Sequence, residues 1–277
     1  MARIDALSIE LATTGKDKLA EEYGKVIENL QAITLAAQLK NTDLSGDPTS
    51  GTVEAKRFVN VTGKAYGTAR GNGKGDYIKA EPVVIAINDN TEYIEEVEEK
   101  DLKTYGVNGL IERRTRNHQD GLAVELDTKF FTEAKTAGTA FTTTKTNIED
   151  VLEEAIETVE TTKNNFVNGV PRNKISIVAS PAIYGQLRNK INSISNANGL
   201  GQLQNYEAGT FNNCRIYSSV FLPAETNYIV MVDGAVAQPV MTSIYEPKKV
   251  ELSDATAFGL FAYKGTKAVM PDLIIYA

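Results

Sequence analysis

Gly67, Gly71, Gly73 and Gly75, with Lys74 among them, are the first residues of this chain whose types and spacing suggest chemistry, because glycine-rich loops that carry a lysine cradle phosphates. The spacing rules that out. A Walker loop has a glycine five positions before the glycine of its Gly-Lys pair, and serine or threonine after the lysine. Here those places hold Thr68 and Gly75. A dinucleotide-binding turn joins an apolar strand to a helix, whereas a second strand follows this segment. Glycines at a hairpin tip supply positive φ angles and flexibility, so the four are read as a hinge at the tip.

Three other groups invite chemistry and lose it on inspection. Glu92, Glu95, Glu96, Glu98, Glu99 and Asp101 could supply paired carboxylates or a calcium site, yet they match no EF-hand spacing. Acidic residues at a helix start suit the helix dipole, and a solvated helical face is the reading. His118, the sole histidine, stands among Arg113, Arg114, Arg116 and Asp120 with no partner for a triad, as a surface or interface residue would. Cys214, the sole cysteine, begins an apolar strand and reads as a small core residue. One cysteine excludes an intrachain disulfide and a cysteine-based metal site. No catalytic constellation, cofactor site or metal site emerges.

The elements that would position these residues are clearer. Residues 16–40 form an amphipathic pattern, with Leu19, Tyr23, Val26, Ile27, Leu30, Ile33 and Ala37 on one face. It reads either as an arm or as a helix packed on its own domain. Asn41 to Gly51 is dense in turn formers and reads as a linker. From Thr52 to Ile87 the pattern is a long polar hairpin without a core of its own. A free two-stranded ribbon is marginal in water, so it is expected to lie on something else, most simply a second copy of the chain.

A helical tract is predicted from about Glu95 to Lys135, broken once near Gly106 or Gly109, with Asn117 able to cap its second half. Thr136 to Thr146 is rich in threonine and marks a domain boundary. Ile148 to Thr162 is an amphipathic helix, Lys174 to Ala179 a buried strand, and Ser180-Pro181 the start of another helix. Asn192 to Asn205 reads as a polar loop. The remainder is mainly strands, with Tyr228 to Val232 buried, Phe258 to Met270 a hairpin turning near Gly265, and Leu273 to Tyr276 a final strand.

Composition sets the outer bounds. The chain has 277 residues, 42% hydrophobic and 23% charged, the balance of a soluble globular protein. No apolar run is long enough to span a bilayer, and Met1 to Asp5 lacks the apolar stretch of a signal peptide. A net charge of −7 argues against a chain whose main task is gripping nucleic acid. Charge is polarised along the sequence: Lys56, Arg57, Lys64, Arg70, Lys74 and Lys79 precede the acidic run at 92–101. These are either two solvated faces, or a basic arm of one subunit that meets the acidic segment of another. On the second reading the contact residues are Lys56, Arg57, Arg70, Lys74 and Lys79 against Glu95, Glu96, Glu98 and Glu99.

Four stretches, in this order, carry a resemblance. Val97 to Asp101 followed by Ala123 to Asp127 is similar to the start and body of a spine helix, and Ile175 to Leu187 to a strand–Ser/Pro–helix unit. Phe211 to Pro223 looks like a strand ending in a Leu-Pro turn, and Phe261 to Pro271 like a final aromatic–glycine–lysine hairpin. Together they resemble the major capsid proteins of tailed bacteriophages with the Hong Kong 97 fold.

That resemblance implies an α+β fold with an N-terminal arm (1–50), an extended β-hairpin loop (51–90), a peripheral domain with a long spine helix (91–145 and 241–277) and an axial domain (146–240). It implies a non-enzymatic subunit that forms hexamers and pentamers of an icosahedral shell around double-stranded DNA. A separate scaffolding protein, a portal, weak non-specific contact with the packaged DNA, no membrane partner and assembly in the bacterial cytoplasm go with it. Covalent lysine–asparagine cross-linking does not carry over, since Lys64, Lys74 and Lys79 have no matched asparagine or acid catalyst. An encapsulin-type nanocompartment is the alternative, and a soluble nucleotide-binding enzyme a more distant one.

Overall fold

The computed structural model describes residues 34–61, 63, 65–67, 78–98, 107–198 and 210–277. Among these residues, helices α1 (Leu35–Leu39), α2 (Val107–Ala137), α3 (Ile148–Glu160) and α4 (Pro181–Asn198) are interleaved with strands β1 to β13. The chain is α+β and divides into two compact units.

The first unit takes residues 1–38, 87–129 and 238–265. Its sheet has the order β10-β11-β3, from Val240–Lys249, Thr256–Lys264 and Asp89–Val97, antiparallel throughout. Strand β3 alternates strictly: Thr91, Tyr93, Glu95 and Val97 are the more buried set, while Asn90, Glu92, Ile94 and Glu96 face out. Leu122, Ala123 and Leu126 of α2 pack with Val97, Phe258, Leu260 and Ala262 to form the core. Asp127, buried on the same helix, accepts the N–H groups of Leu35 (3.3 Å) and Ala36 (2.8 Å) at the free end of α1.

Three sequence expectations are corrected here. The acidic run up to Val97 is a strand rather than a helix start, because its period is two and Thr91, Tyr93, Ile94 and Val97 suit a pleated surface. Helix α2 is continuous from Val107 to Ala137, so Asn117 caps nothing and Gly109 breaks nothing. Phe258 to Met270 is not a hairpin: β11 pairs with β10 and β3, while β12 (Lys267–Ala268) pairs with β9 (Val236–Ala237). Strand β10 was hidden by Pro247, which removes a ladder donor. It is tolerated because β10 is an edge strand whose register shifts between Tyr245 and Lys248.

The second unit takes residues 39–86, 130–237 and 266–277. A six-stranded mixed sheet runs β4-β13-β8-β5-β7-β6, from Thr139–Ala140, Ile274–Tyr276, Tyr228–Val232, Ile175–Ala179, Cys214–Ser218 and Thr210–Phe211. Strands β5 and β8 are buried at every position and apolar except at Ser176, whose hydroxyl donates to Asp233 Oδ1 at 2.6 Å. Helix α3 packs Leu152, Ala155, Ile156 and Val159 onto them at helical spacing. Pro181 opens α4 as expected, with Ser180 Oγ 3.5 Å from the Ile183 N–H. Helix α4 continues to Asn198, so the loop read over Asn192 to Asn205 starts later, and residues 199–209 are not described. Gly138 ends α2 where a Cβ would stand 2.6 Å from the Ala134 carbonyl and 2.8 Å from Ile274 Cγ2, so only glycine passes there into β4.

The linker read over Asn41 to Gly51 is tied down. Ser45 and Glu54 exchange both backbone hydrogen bonds (2.8 and 2.7 Å), and Asn41 N–H donates to the Val236 carbonyl at 2.8 Å. Turn formers here satisfy their backbone groups against neighbouring strands instead of water. Of the amphipathic stretch at 16–40, only 34–40 lies among the described residues.

Candidate assembly interface

Strands β1 (Thr52–Phe58) and β2 (Ala80–Ala86) form the hairpin, paired from Thr52 with Ala86 to Phe58 with Ala80. Period-two geometry gives it two unlike faces. On the inner face Val53, Ala55 and Ile85 are buried, so the expectation of a ribbon with no core of its own is corrected at the base of the hairpin. The outer face is less polar than its sequence pattern suggests. Phe58 and Val84 are 55% and 44% exposed, and they stand on one face with Ala80, Pro82, Ala86 and Lys56. Ile78 and Tyr66 beyond the strands are also exposed.

Arg57 belongs to the inner face. Its two Nη atoms donate to the Asp272 carboxylate at 2.6 and 2.7 Å, a bidentate pair, and its guanidinium lies 4.2 Å from the Phe166 ring centroid. Asn164 Nδ2 donates to the same carboxylate. Burial by itself pushes the Asp272 carboxyl up, but the hydrogen bonds and charge of Arg57 outweigh it and hold the group below its ordinary value. Arg57 therefore clamps β1 to its own subunit. Lys56 and Lys79 remain exposed.

The acidic strand divides in the same way. Glu95 points at α2, with Oε2 3.3 Å from Arg114 Nε and Oε1 3.4 Å from His118 Nε2. His118 is buried, its ring 5.6 Å from that of Tyr93 and 6.5 Å from that of Phe258. This corrects its assignment to the surface: the one-in-four spacing to Leu122 and Leu126 puts position 118 on the core side of α2. Glu96 and Glu98 are exposed.

Deeper in this unit lies an ionic network that charge patterning did not disclose. Lys264, with its side chain 1% exposed, reaches Glu125 Oε1 at 2.9 Å and donates to Thr91 Oγ1 at 2.7 Å. The Thr91 hydroxyl donates to Glu125 Oε1 at 2.9 Å and the Tyr93 hydroxyl to Oε2 at 3.1 Å. Burial pushes the Glu125 carboxyl up, yet Lys264 and the two hydroxyls together hold it below its ordinary value. Desolvation and the Glu125 charge push the Tyr93 phenol well above the usual tyrosine range. These groups hold β3, β11 and α2 against each other.

Of the expected hinge glycines, Gly67 has φ +93°, a conformation that favours glycine. Gly71, Gly73, Gly75, Arg70, Lys74 and Glu99 lie outside the described residues. Cys214 is buried in the core, and desolvation raises its thiol to about 11. Among the described residues no three His, Cys, Asp or Glu side chains are arranged to hold a metal ion, and no helix is long and apolar enough to cross a membrane.

A family model described as phage capsid protein matches residues 89–272. No curated protein matches the chain. Among solved structures, one from Mycobacterium phage Che8 is similar at 20% identity, TM-score 0.66, over 88% of this chain and 90% of that one. The capsid of cyanophage P-SCSP1u is similar at 17% identity, TM-score 0.60, over 88% and 87%. A virus-like particle from Pyrococcus furiosus is similar at 12% identity, TM-score 0.58, over 94% and 97%. These likenesses extend beyond the region that the family model matches and share its fold.

Proposed function

Because the chain belongs to the phage capsid protein family, as a major capsid protein whose copies associate into the shell of the virion, we propose that this shell is icosahedral, built from pentamers and hexamers, and encloses double-stranded DNA. The family match favours this over an encapsulin-type compartment. The subunit is structural, and we assign it no enzymatic activity. The unit with the six-stranded sheet, residues 130–237 and 266–277, forms the axial domain around the five- and six-fold axes, the unit with β3, β10 and β11, residues 87–129 and 238–265, forms the peripheral domain, and the hairpin at 51–86 and residues 1–50 act as the extended loop and the arm. A separate scaffolding protein and a portal complete assembly in the bacterial cytoplasm. The net charge of −7 suits a wall that touches DNA only weakly.

The observation that carries this reading is the outer face of the hairpin. Phe58, Ala80, Pro82, Val84 and Ala86 expose apolar surface along this face that its own subunit leaves uncovered, with Lys56 and Glu54 on the same face and Lys79 just beyond the paired strands. A neighbouring copy supplies the cover. Each such contact is small, but every subunit makes several at once, and avidity multiplies them. Replacing Phe58 and Val84 together by serine is expected to leave the urea midpoint of the isolated subunit nearly unchanged while abolishing shells in electron micrographs. Normal shells from that variant would remove the role given to the hairpin.

In the same contact, Lys56 and Lys79 of one copy face Glu96 and Glu98 of the next. Arg57 and Glu95, drawn inward within their own chain, support the contact by holding their strands in place. Lys56→Glu is expected to raise the concentration needed for assembly about tenfold at low salt, with the difference fading above a few hundred millimolar salt. An effect that does not depend on salt would reject the charge pairing.

A further inference from the structure

Leu252 sits in the turn that joins β10 to β11, with φ +60° and a relative exposure of 110%. The turn is fully specified. Val250 N–H donates to the Ala255 carbonyl (3.0 Å), Ser253 N–H to the Val250 carbonyl (3.3 Å), and Ala255 N–H to Ser253 Oγ (3.1 Å). A leucine is unfavourable here in an isolated chain on two independent counts. The left-handed region crowds its Cβ, where glycine or asparagine would fit readily. Its whole side chain also stands in water, gaining nothing from burial. An outlier of this kind, held by the hydrogen bonds around it, is a sign of use.

The surroundings indicate what the use is. Glu251, Ser253 and Asp254 are exposed and polar, so Leu252 is a single apolar point inside an acidic rim, the arrangement of an interface anchor. We propose that Leu252 is a knob that seats in a second copy of this chain, on apolar ground with a basic margin. The Phe58 end of the hairpin's outer face carries that chemistry, with exposed Phe58, Ala80 and Pro82 flanked by Lys56 on the strand and Lys79 at the end of the ladder. This rests on the shell reading, since a shell subunit is surrounded by copies of itself, and a fixed projection on each meets the same seat on the next.

The test compares full-length wild-type chain with Leu252→Gly, Leu252→Asn and Leu252→Met, following assembly by sedimentation across a concentration series and folding by urea denaturation. Glycine and asparagine accept the left-handed turn, so both variants are expected to fold at least as stably as wild type, while the assembly threshold rises about tenfold or more through loss of the buried side chain. Methionine keeps an apolar knob and is expected to assemble within about threefold of wild type. If the glycine and asparagine variants assemble like wild type, the knob is overturned and the shell reading stands. If the wild-type chain forms no shells either alone at high concentration or with a scaffolding partner, the shell reading falls and the knob with it.

Discussion

Replacing Glu125 by alanine is expected to destabilise the subunit by about 3–5 kcal/mol, measured as the free energy of urea unfolding under conditions where it does not assemble. The size follows from what is left behind. The Lys264 ammonium has its side chain 1% exposed and its closest carboxylate oxygen on Glu125 at 2.9 Å, with Asp89 next at 3.9 Å. Without Glu125 that charge stays buried, helped only by the Thr91 hydroxyl and a distant carboxylate, and the hydroxyls of Thr91 and Tyr93 lose their acceptor. Removing both ends is a different case: Lys264→Met with Glu125→Leu takes out the charges and keeps the volume, and is expected to recover most of the loss. A double variant as unstable as the single one would show that the charge pair is not the source.

The same network predicts a pH dependence. Glu125 titrates below its ordinary value in the folded chain. Its contribution is therefore fully present above the unfolded carboxylate range, near 4.3, and is lost as pH falls through the lower folded value. Glu125→Gln should flatten that part of the acid limb of stability against pH.

Gly259→Ala is the second large expected effect, about 3 kcal/mol of lost stability. Gly259 pairs with Ile94 across β11 and β3, and an added Cβ would stand 1.9 Å from the Tyr93 carbonyl oxygen, 2.9 Å from its carbon and 3.0 Å from Ile94 Cα. All three obstacles are backbone, so no side-chain rotation relieves them and the two strands must part. Gly185→Ala supplies the contrast. That glycine lies inside α4 with nothing within 4 Å of an added Cβ. The gain in helix propensity should stabilise the chain by about 0.5–1 kcal/mol. If the two variants shift stability alike, β3 and β11 do not approach each other so closely at Gly259.

How far the chain's elements are legible in its residues depends on the range of each signal. The buried strands at 175–179 and 228–232, the amphipathic helix at 148–160 and the Ser-Pro start of α4 declare themselves within a few residues, and the structure contains them. The run at 92–97 misled because glutamates are common at helix starts. Its true period of two is enforced by pairing with β11, more than 150 residues later in the chain. His118 misled in a similar way, since its arginine neighbours dominate the local sequence while its own position follows the core stripe of α2.

The assembly site divides along the same line. Residue types alone determined that charge is polarised between 54–79 and 92–101 and that a long hairpin lies between the turn-rich segment at 41–51 and the acidic run. Tertiary structure decided which of those charges are available. Arg57 is taken by Asp272, 215 positions away, and Glu95 by Arg114 and His118, while Lys56, Lys79 and Glu96 stay at the surface. It also turned the outer face of the hairpin into an apolar strip and left Leu252 at a turn tip. Side-chain charge is a property of one residue, but its partner is set by strand register and by which distant segment closes over it. Local sequence does not carry that information.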